Sequence, residues 1–238
     1  MNKGKLYLIP NTLGESTEET TLTSLIFKKI QEIDIFIVEN IRTARRYIKK
    51  IYKEKNIDTT TLYPYGKHDN FNLEKDFLPH ILSGKNIGLI SDAGLPCIAD
   101  PGSKIVKYAH EFQIDVVPLT GPSSIFLALM ASGLNGQNFA FTGYLPIEKN
   151  KRTKSIKYLE GLVKKTNQTQ IFMETPYRNN QLIETLLKVC NNNTKLCIAS
   201  NITLATENIK TKTIEEWKQT EINIHKQPAI FLIGSSYI

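Results

Sequence analysis

The chain has 238 residues, 41% hydrophobic and 22% charged, with a net charge of +7, which is ordinary for a soluble globular protein with one large or two small cores. No apolar run approaches the roughly 20 residues of a membrane span, and the first residues read straight into a strand without a leader pattern. Three cysteines, Cys97, Cys190 and Cys197, and four scattered histidines lack metal-ligand spacing, so no disulfide framework and no metal is expected, and the chain fits a reducing cytoplasm.

In chain order, Lys5–Ile9 reads as a strand ending at Pro10. Thr20 and Thr21 stand where they would cap a helix carrying Leu22, Leu25, Ile26, Ile30 and Ile33 at helical spacing. Asp34–Val38 is a buried strand, Ile41–Tyr52 a basic helix and Thr59–Leu62 a third strand. Tyr63–Asn70 is expected as a polar, aromatic loop, Leu73–Leu82 as a helix. Then come strand Asn86–Ile90, helix Ser103–Phe112, strand Asp115–Val117, helix Ser123–Ser132 and strand Phe139–Thr142. The charged stretch after Gly143-Tyr-Leu-Pro146 reads as a boundary, giving domains 1–143 and 144–238. The second half is expected to run helix Lys151–Lys164, strand Thr169–Phe172, helix Asn179–Val189, strands Lys195–Ala199 and Thr203–Ile209, helix Ile214–Lys218 and strand Ala229–Ile233. Strands alternating with helices argue for an α/β protein, with a mainly parallel N-terminal sheet covered by helices on both faces.

Two stretches carry the functional signal: Ile87–Gly102, containing Ser91-Asp92-Ala93-Gly94-Leu95-Pro96, and Val116–Ser124, containing Gly121-Pro122-Ser123-Ser124. Each is an apolar run that breaks into a Gly/Pro turn and opens a helix. Such joints expose backbone N–H groups at the carboxyl ends of strands, where open α/β sheets bind ligands. The bland reading makes Asp92, Asp100 and the serines ordinary turn and cap residues. No G-x-G-x-x-G and no P-loop is present. The basic balance suits a polyanionic partner such as RNA, and lysine-rich solvated helix faces explain it equally well.

The order and spacing of Leu6–Gly14, His68-Asp-Asn70, Leu89–Gly102, Val117–Leu134, Gly143-Tyr-Leu-Pro146 and Phe172-Met-Glu-Thr-Pro-Tyr-Arg178 resemble the tetrapyrrole methylase superfamily of S-adenosylmethionine (SAM) methyltransferases. More narrowly, they resemble the ribosomal RNA small subunit methyltransferase I family. The resemblance implies two α/β domains, the second with a mixed sheet, SAM in the cleft between them, and a homodimer. It implies cofactor contacts at Leu13, Gly14, Asp92, Ala93, Gly94, Leu95, Ile98, Ser123 and Ser124. From the second domain it adds Met173, Glu174, Ala199, Asn201, Ile202, Pro228, Ala229 and Ile230. The acceptor implied is a ribose 2′-hydroxyl of small-subunit ribosomal RNA. A hydroxyl nucleophile must shed its proton, so Glu39, Asp92 and Asp100 are catalytic candidates, with His68 beside them. Arg42, Lys67, His68 and Arg178 are candidate substrate contacts, Arg45 and Arg46 further phosphate holders, and Tyr63, Tyr65 and Phe71 candidate base stackers. A small-molecule, tetrapyrrole-like methyltransferase and a non-catalytic SAM- or RNA-binding relative are the competing readings.

Three short stretches lose an acidic residue of the family pattern: Glu39-Asn40-Ile41-Arg42 replaces Glu-Asp-Thr-Arg, Ser200-Asn201-Ile202-Thr203 replaces Arg-Glu-Leu-Thr, and Lys226-Gln227-Pro228 replaces Lys-Gly-Glu; the first turn, Asn11-Thr-Leu-Gly-Glu15, also stands in place of Thr-Pro-Ile-Gly-Asn. Three acidic positions become neutral, which places the acceptor site, more than the cofactor pocket, in a divergent branch.

Overall fold

The computed structural model describes residues 3–66 and 71–235, and the chain divides into two compact units, Met1–Ser123 and Ser124–Ile238. In the first unit, strands β1 (Leu6–Ile9), β2 (Ile35–Val38), β3 (Thr61–Pro64), β4 (Ile87–Ile90) and β5 (Val116–Pro118) form a parallel sheet in the order β3-β2-β4-β1-β5. Side chains alternate across it, as a two-residue period requires. Tyr7, Ile9, Phe36, Val38 and Ile90 face one way and pack with Ile26 and Ile30 of α2 (Ser24–Glu32) and Tyr47 and Ile48 of α3 (Ile41–Ile51), after the short α1 (Glu18–Thr21). Leu6, Ile35, Ile37, Ile87 and Leu89 face the other way. They meet Ile81 of α4 (Leu78–Leu82) and Ile105 and Ala109 of α5 (Ser103–Glu111). Both faces being covered, β2 and β4 are buried along their whole length.

The sheet's amino edge is fastened by a lysine. Lys55, 5% exposed, donates from Nζ to Gln31 O (3.0 Å), Ile33 O (2.7 Å) and Asp34 Oδ1 (2.6 Å). All three ammonium protons thereby have an acceptor, which is what makes a buried lysine tolerable.

In the second unit, α6 (Ser124–Ser132) precedes β6 (Phe139–Tyr144), α7 (Lys149–Thr166), β7 (Thr169–Met173), α8 (Asn179–Val189), β8 (Lys195–Ser200), β9 (Asn208–Thr213), α9 (Ile214–Lys218) and β10 (Ala229–Gly234). The sheet order is β6-β7-β10-β8-β9. Only the β6–β7 pair is parallel, so the sheet is mixed. Phe172, Ile198 and Phe231 point to one face, under α7, α8 and α9. On the other face lies α6, where Thr211 Oγ1 donates to Ser132 O at 2.7 Å.

The α/β class and the parallel-then-mixed pair of sheets agree with expectation, while several boundaries do not. The units divide at Ser123/Ser124 rather than at 143/144. Helix α6 packs on the second sheet and β6 is that sheet's edge strand, so both belong downstream of the division. Thr20 and Thr21 do not cap α2: they end the extra turn α1, and Thr23 precedes α2. The helix expected over Leu73–Leu82 is broken into a π-helical turn, Leu73–Phe77, followed by α4, because Pro79 has no N–H to continue an α-helical ladder. Strand β3 runs on through Tyr63 and Pro64. Strand β9 starts at Asn208, because residues 201–207 close turns in which Leu204 N–H donates to Asn201 O and Glu207 N–H to Leu204 O.

Candidate functional site

Ile9, Val38 and Ile90 stand level in the parallel register, and Leu119 N–H donates to Leu8 O. The segments after β1, β2, β4 and β5 therefore leave the same edge of the sheet. After β1 the chain enters α2 on one face; after β4 it enters α5 on the other. Adjacent strands whose connections depart to opposite faces open a crevice between their carboxyl ends, the switch point where α/β sheets take ligands.

Asn11 laces the two turns at that point. It is 5% exposed. Its Nδ2 donates to Ser91 O (3.1 Å) and Asp92 O (3.0 Å), its Oδ1 accepts from Thr12 N–H (2.8 Å), and its own N–H donates to Gly94 O (2.8 Å). Tyr47 of α3 reaches under the same turn and donates to Pro10 O at 2.6 Å. Burial pushes its phenol well above the usual range, keeping it a donor. Gly94 has φ +65°, and a β-carbon there would lie 3.2 Å from Leu13 Cδ2 and 3.6 Å from Pro122 O. Gly121 lets the β5 turn close on Pro10, whose ring a β-carbon would meet at 2.2 Å. The turns carrying Leu13, Gly94 and Pro122 thus converge on one place. Cys97 and Ala99 are held at φ 71° and 64° in the same loop, conformations that cost non-glycine residues energy and cluster at functional sites.

Three carboxylates from two turns share this edge. Glu39, after β2, accepts the Asp92 N–H at Oε2 (3.2 Å). Burial raises the Asp92 carboxyl above its ordinary range, with Glu39 adding repulsion, while a hydrogen bond from Thr43 pulls the other way. Asp100 is pushed up to about 6, by burial first, then by Glu39 and Asp92, against a lowering hydrogen bond from Ser91. The three sequence-predicted acids are thus electrostatically joined. Among the described residues no group of His, Cys, Asp or Glu is arranged to hold a metal. Lys67 and His68 lie outside the described residues. Tyr63, Tyr65 and Phe71 contact one another edge-on (centroids 5.7 and 5.5 Å) and pack against the core, with the Tyr63 hydroxyl 3.0 Å from His80 Nε2, which favours loop packing over base stacking.

In the second unit, the predicted residues gather at one end of the sheet by register: Met173 lies opposite Ile230, Ala199 opposite Ile230, and Ser200 opposite Ala229. Glu174 is 4% exposed; its Oε1 accepts from Arg178 Nη2 (2.6 Å) and Thr175 N–H (2.7 Å). Among the described residues its Oε2 is buried without a partner, as are Arg178 Nε, Asn179 Oδ1 and Thr203 Oγ1. Asn201, at φ 52°, donates from Nδ2 to Gln227 Oε1 (3.2 Å) and Thr206 Oγ1 (3.1 Å), and its N–H donates to Pro228 O (3.0 Å). Two of the three departures from the family pattern are therefore one contact. The third, Asn40, caps α3 by accepting from Arg42 N–H (2.9 Å) and Thr43 N–H (3.2 Å). Sequence reasoning missed the roles of Asn11, Tyr47 and Gln227. An Asn immediately after a buried strand was the one available signal, and it reads equally as a plain turn residue.

Comparison with known proteins gives a consistent picture. The family model for tetrapyrrole (corrin/porphyrin) methylases matches residues 20–218. A ribosomal RNA small subunit methyltransferase I of Halalkalibacterium halodurans is 31% identical over 90% of this chain and 70% of its own length. Its namesake in Vibrio cholerae is 31% identical over 96% and 76%, and that in Bacillus subtilis 32% identical over 90% and 68%. The crystal structure of the methyltransferase CobJ superimposes with a TM-score of 0.64 over 98% of this chain and 95% of CobJ at 15% identity, a likeness of fold.

Proposed function

Because the chain belongs to the tetrapyrrole methylase family of SAM-dependent methyltransferases, and within it to the ribosomal RNA small subunit methyltransferase I group, we propose that it methylates a ribose 2′-hydroxyl of small-subunit ribosomal RNA. The observation that carries this reading is the convergence of three Gly/Pro turns beside a half-buried carboxylate cluster at one sheet edge.

The residues present fit SAM. Gly94 leaves bare backbone where a side chain would fill the approach between Leu13 and Pro122, and the buried Glu174 Oε2 is an acceptor awaiting a donor. Leu13, Gly14, Asp92–Leu95, Ile98, Ser123 and Ser124 are the proposed contacts of the first unit. Met173, Glu174, Ala199, Asn201, Ile202, Pro228, Ala229 and Ile230 are those of the second. When bound, SAM supplies a methyl group already activated by its sulfonium, so alignment matters more than strong acid–base help. The chain's own task is to hold the acceptor hydroxyl in line and take its proton. Asp100, with its proton affinity pushed up to about 6, suits a general base. Asp92 and Glu39 raise that affinity by repulsion. Arg178, pinned at one nitrogen by Glu174, is a proposed phosphate contact. Homodimerisation is supported by an apolar patch in which Phe126 (52% exposed) meets Phe139 edge-on and Met130 is 78% exposed.

The test is transfer of labelled methyl from SAM to purified small ribosomal subunits lacking native ribose methylation, with naked RNA alongside. Incorporation mapping to one ribose is expected. Label on a porphyrinogen, or SAM binding without transfer to any RNA, would overturn the assignment.

A further inference from the structure

The outward face of α3 is strongly basic. Arg42, Arg45, Arg46, Lys49 and Lys50 are exposed, and the helix contains no acidic residue. At 100° per residue, Arg42, Arg46 and Lys49 fall on one stripe, opposite the buried Ala44, Tyr47, Ile48 and Ile51. A solvated face would explain the lysines alone, since cations near a helix C-terminus complement its dipole. It does not explain Arg42. That residue sits in the first turn, where the dipole is already positive, no acid accompanies it, and a cation is disfavoured. Lys50 is neutralised by Glu18 (2.7 Å), and Arg45 leans toward Asp58 (3.7 Å). Among the described residues Arg42 and Arg46 make no ion pair. Uncompensated charge placed against the local rule marks a surface kept for a partner.

The placement of the helix says which partner. Its cap, Asn40, directly follows Glu39, whose carboxylate accepts the Asp92 N–H. The stripe therefore starts at the edge where the turns converge and runs away from it for about 10 Å, two turns at about 5.4 Å each. Resting on the methyltransferase reading above, we propose that Arg42, Arg46 and Lys49 form a phosphate track. It holds successive phosphates of the RNA strand that presents its ribose at the turns. Beside its far end lies a concavity lined by Arg45, Arg46 and Lys49 but also by the acidic Glu54 and Asp58, so the track ends there.

The test reads the salt dependence of binding to a small-subunit ribosomal RNA transcript, for the wild type, for R42A/R46A/K49A, and for K154A/K157A, which removes exposed charge from α7. Each lost phosphate contact lowers the slope of log K against log salt by about 0.7 for a single strand, so the triple variant is expected to lose about 2. The α7 variant is expected to keep the wild-type slope. SAM binding, measured by calorimetry, is expected to stay unchanged in all three. Equal slopes in wild type and triple variant, or equal losses in both variants, would overturn the track. Methyl transfer to small subunits is followed in parallel. Transfer by the wild type that the triple variant retains in full would sink the track and leave the methyltransferase reading standing. No transfer by the wild type would sink that reading, while the slopes still decide the track.

Discussion

At Gly94, two constraints act together: a left-handed backbone and a neighbour 3.2 Å from any added β-carbon. Gly94→Val is expected to fold with reduced stability and to lose SAM affinity at least tenfold by calorimetry. Unchanged affinity would place the cofactor elsewhere. Asp100 makes a prediction with a definite sign. Its folded proton affinity, at about 6, lies above the ordinary 3.8. Between those values the folded chain binds more protons than the unfolded one, so Asp100 lowers stability as pH rises through that window. The melting temperature of Asp100→Asn relative to wild type is therefore expected to climb from pH 4 to 7; a flat difference would contradict the shift. If Asp100 is the base, kcat/KM of the wild type rises through about pH 6, and the Asn variant loses that limb. Asp92 and Asp100 were legible in the sequence as the polar residues of a glycine turn, Glu39 only through the resemblance. Their mutual repulsion was not, because it depends on how β2 and β4 are ordered in the sheet.

Among the elements, the two laced turns depend on Asn11. Asn11→Ala strips two buried carbonyls of their donor and is expected to cost about 2–4 kcal/mol in urea unfolding, an unsatisfied buried group being worth roughly 1–3 kcal/mol. Tyr47→Phe removes one hydrogen bond and should cost about 1 kcal/mol. The Asn201–Gln227 amide pair calls for a double-mutant cycle to alanine, with a coupling of about 0.5–1.5 kcal/mol by chemical denaturation; additivity would deny the contact. Helices α8 and α9 were read at their observed bounds, and most other elements within a residue or two. The reading slipped at β9, an exposed edge strand alternating Lys and Thr that buries too little to show a pattern, and at the π-helical turn, where one Pro changes the ladder without changing the apolar spacing.

For the whole molecule, the alternation of strands and helices was enough to give the class and the covered parallel sheet. The division between units was placed too late because Gly143-Tyr-Leu-Pro146 is a composition break inside the second unit. Chain pattern marks turns; it does not say which sheet a helix covers. The likeness to known methylases spans nearly the whole chain, 96% of it for the Vibrio cholerae relative.

A last consequence follows from the lysine buried at the amino edge of the first sheet. Lys55 Nζ is buried and held by three acceptors, so its reaction with an amine-acylating reagent requires those hydrogen bonds to break. In a chain this rich in lysine, solvent-facing amines such as those of Lys28 and Lys104 will be acylated within the first minutes. Lys55 will lag, and its rate, followed by peptide mass spectrometry, becomes a clock for release of the 31–34 corner to which it is tied.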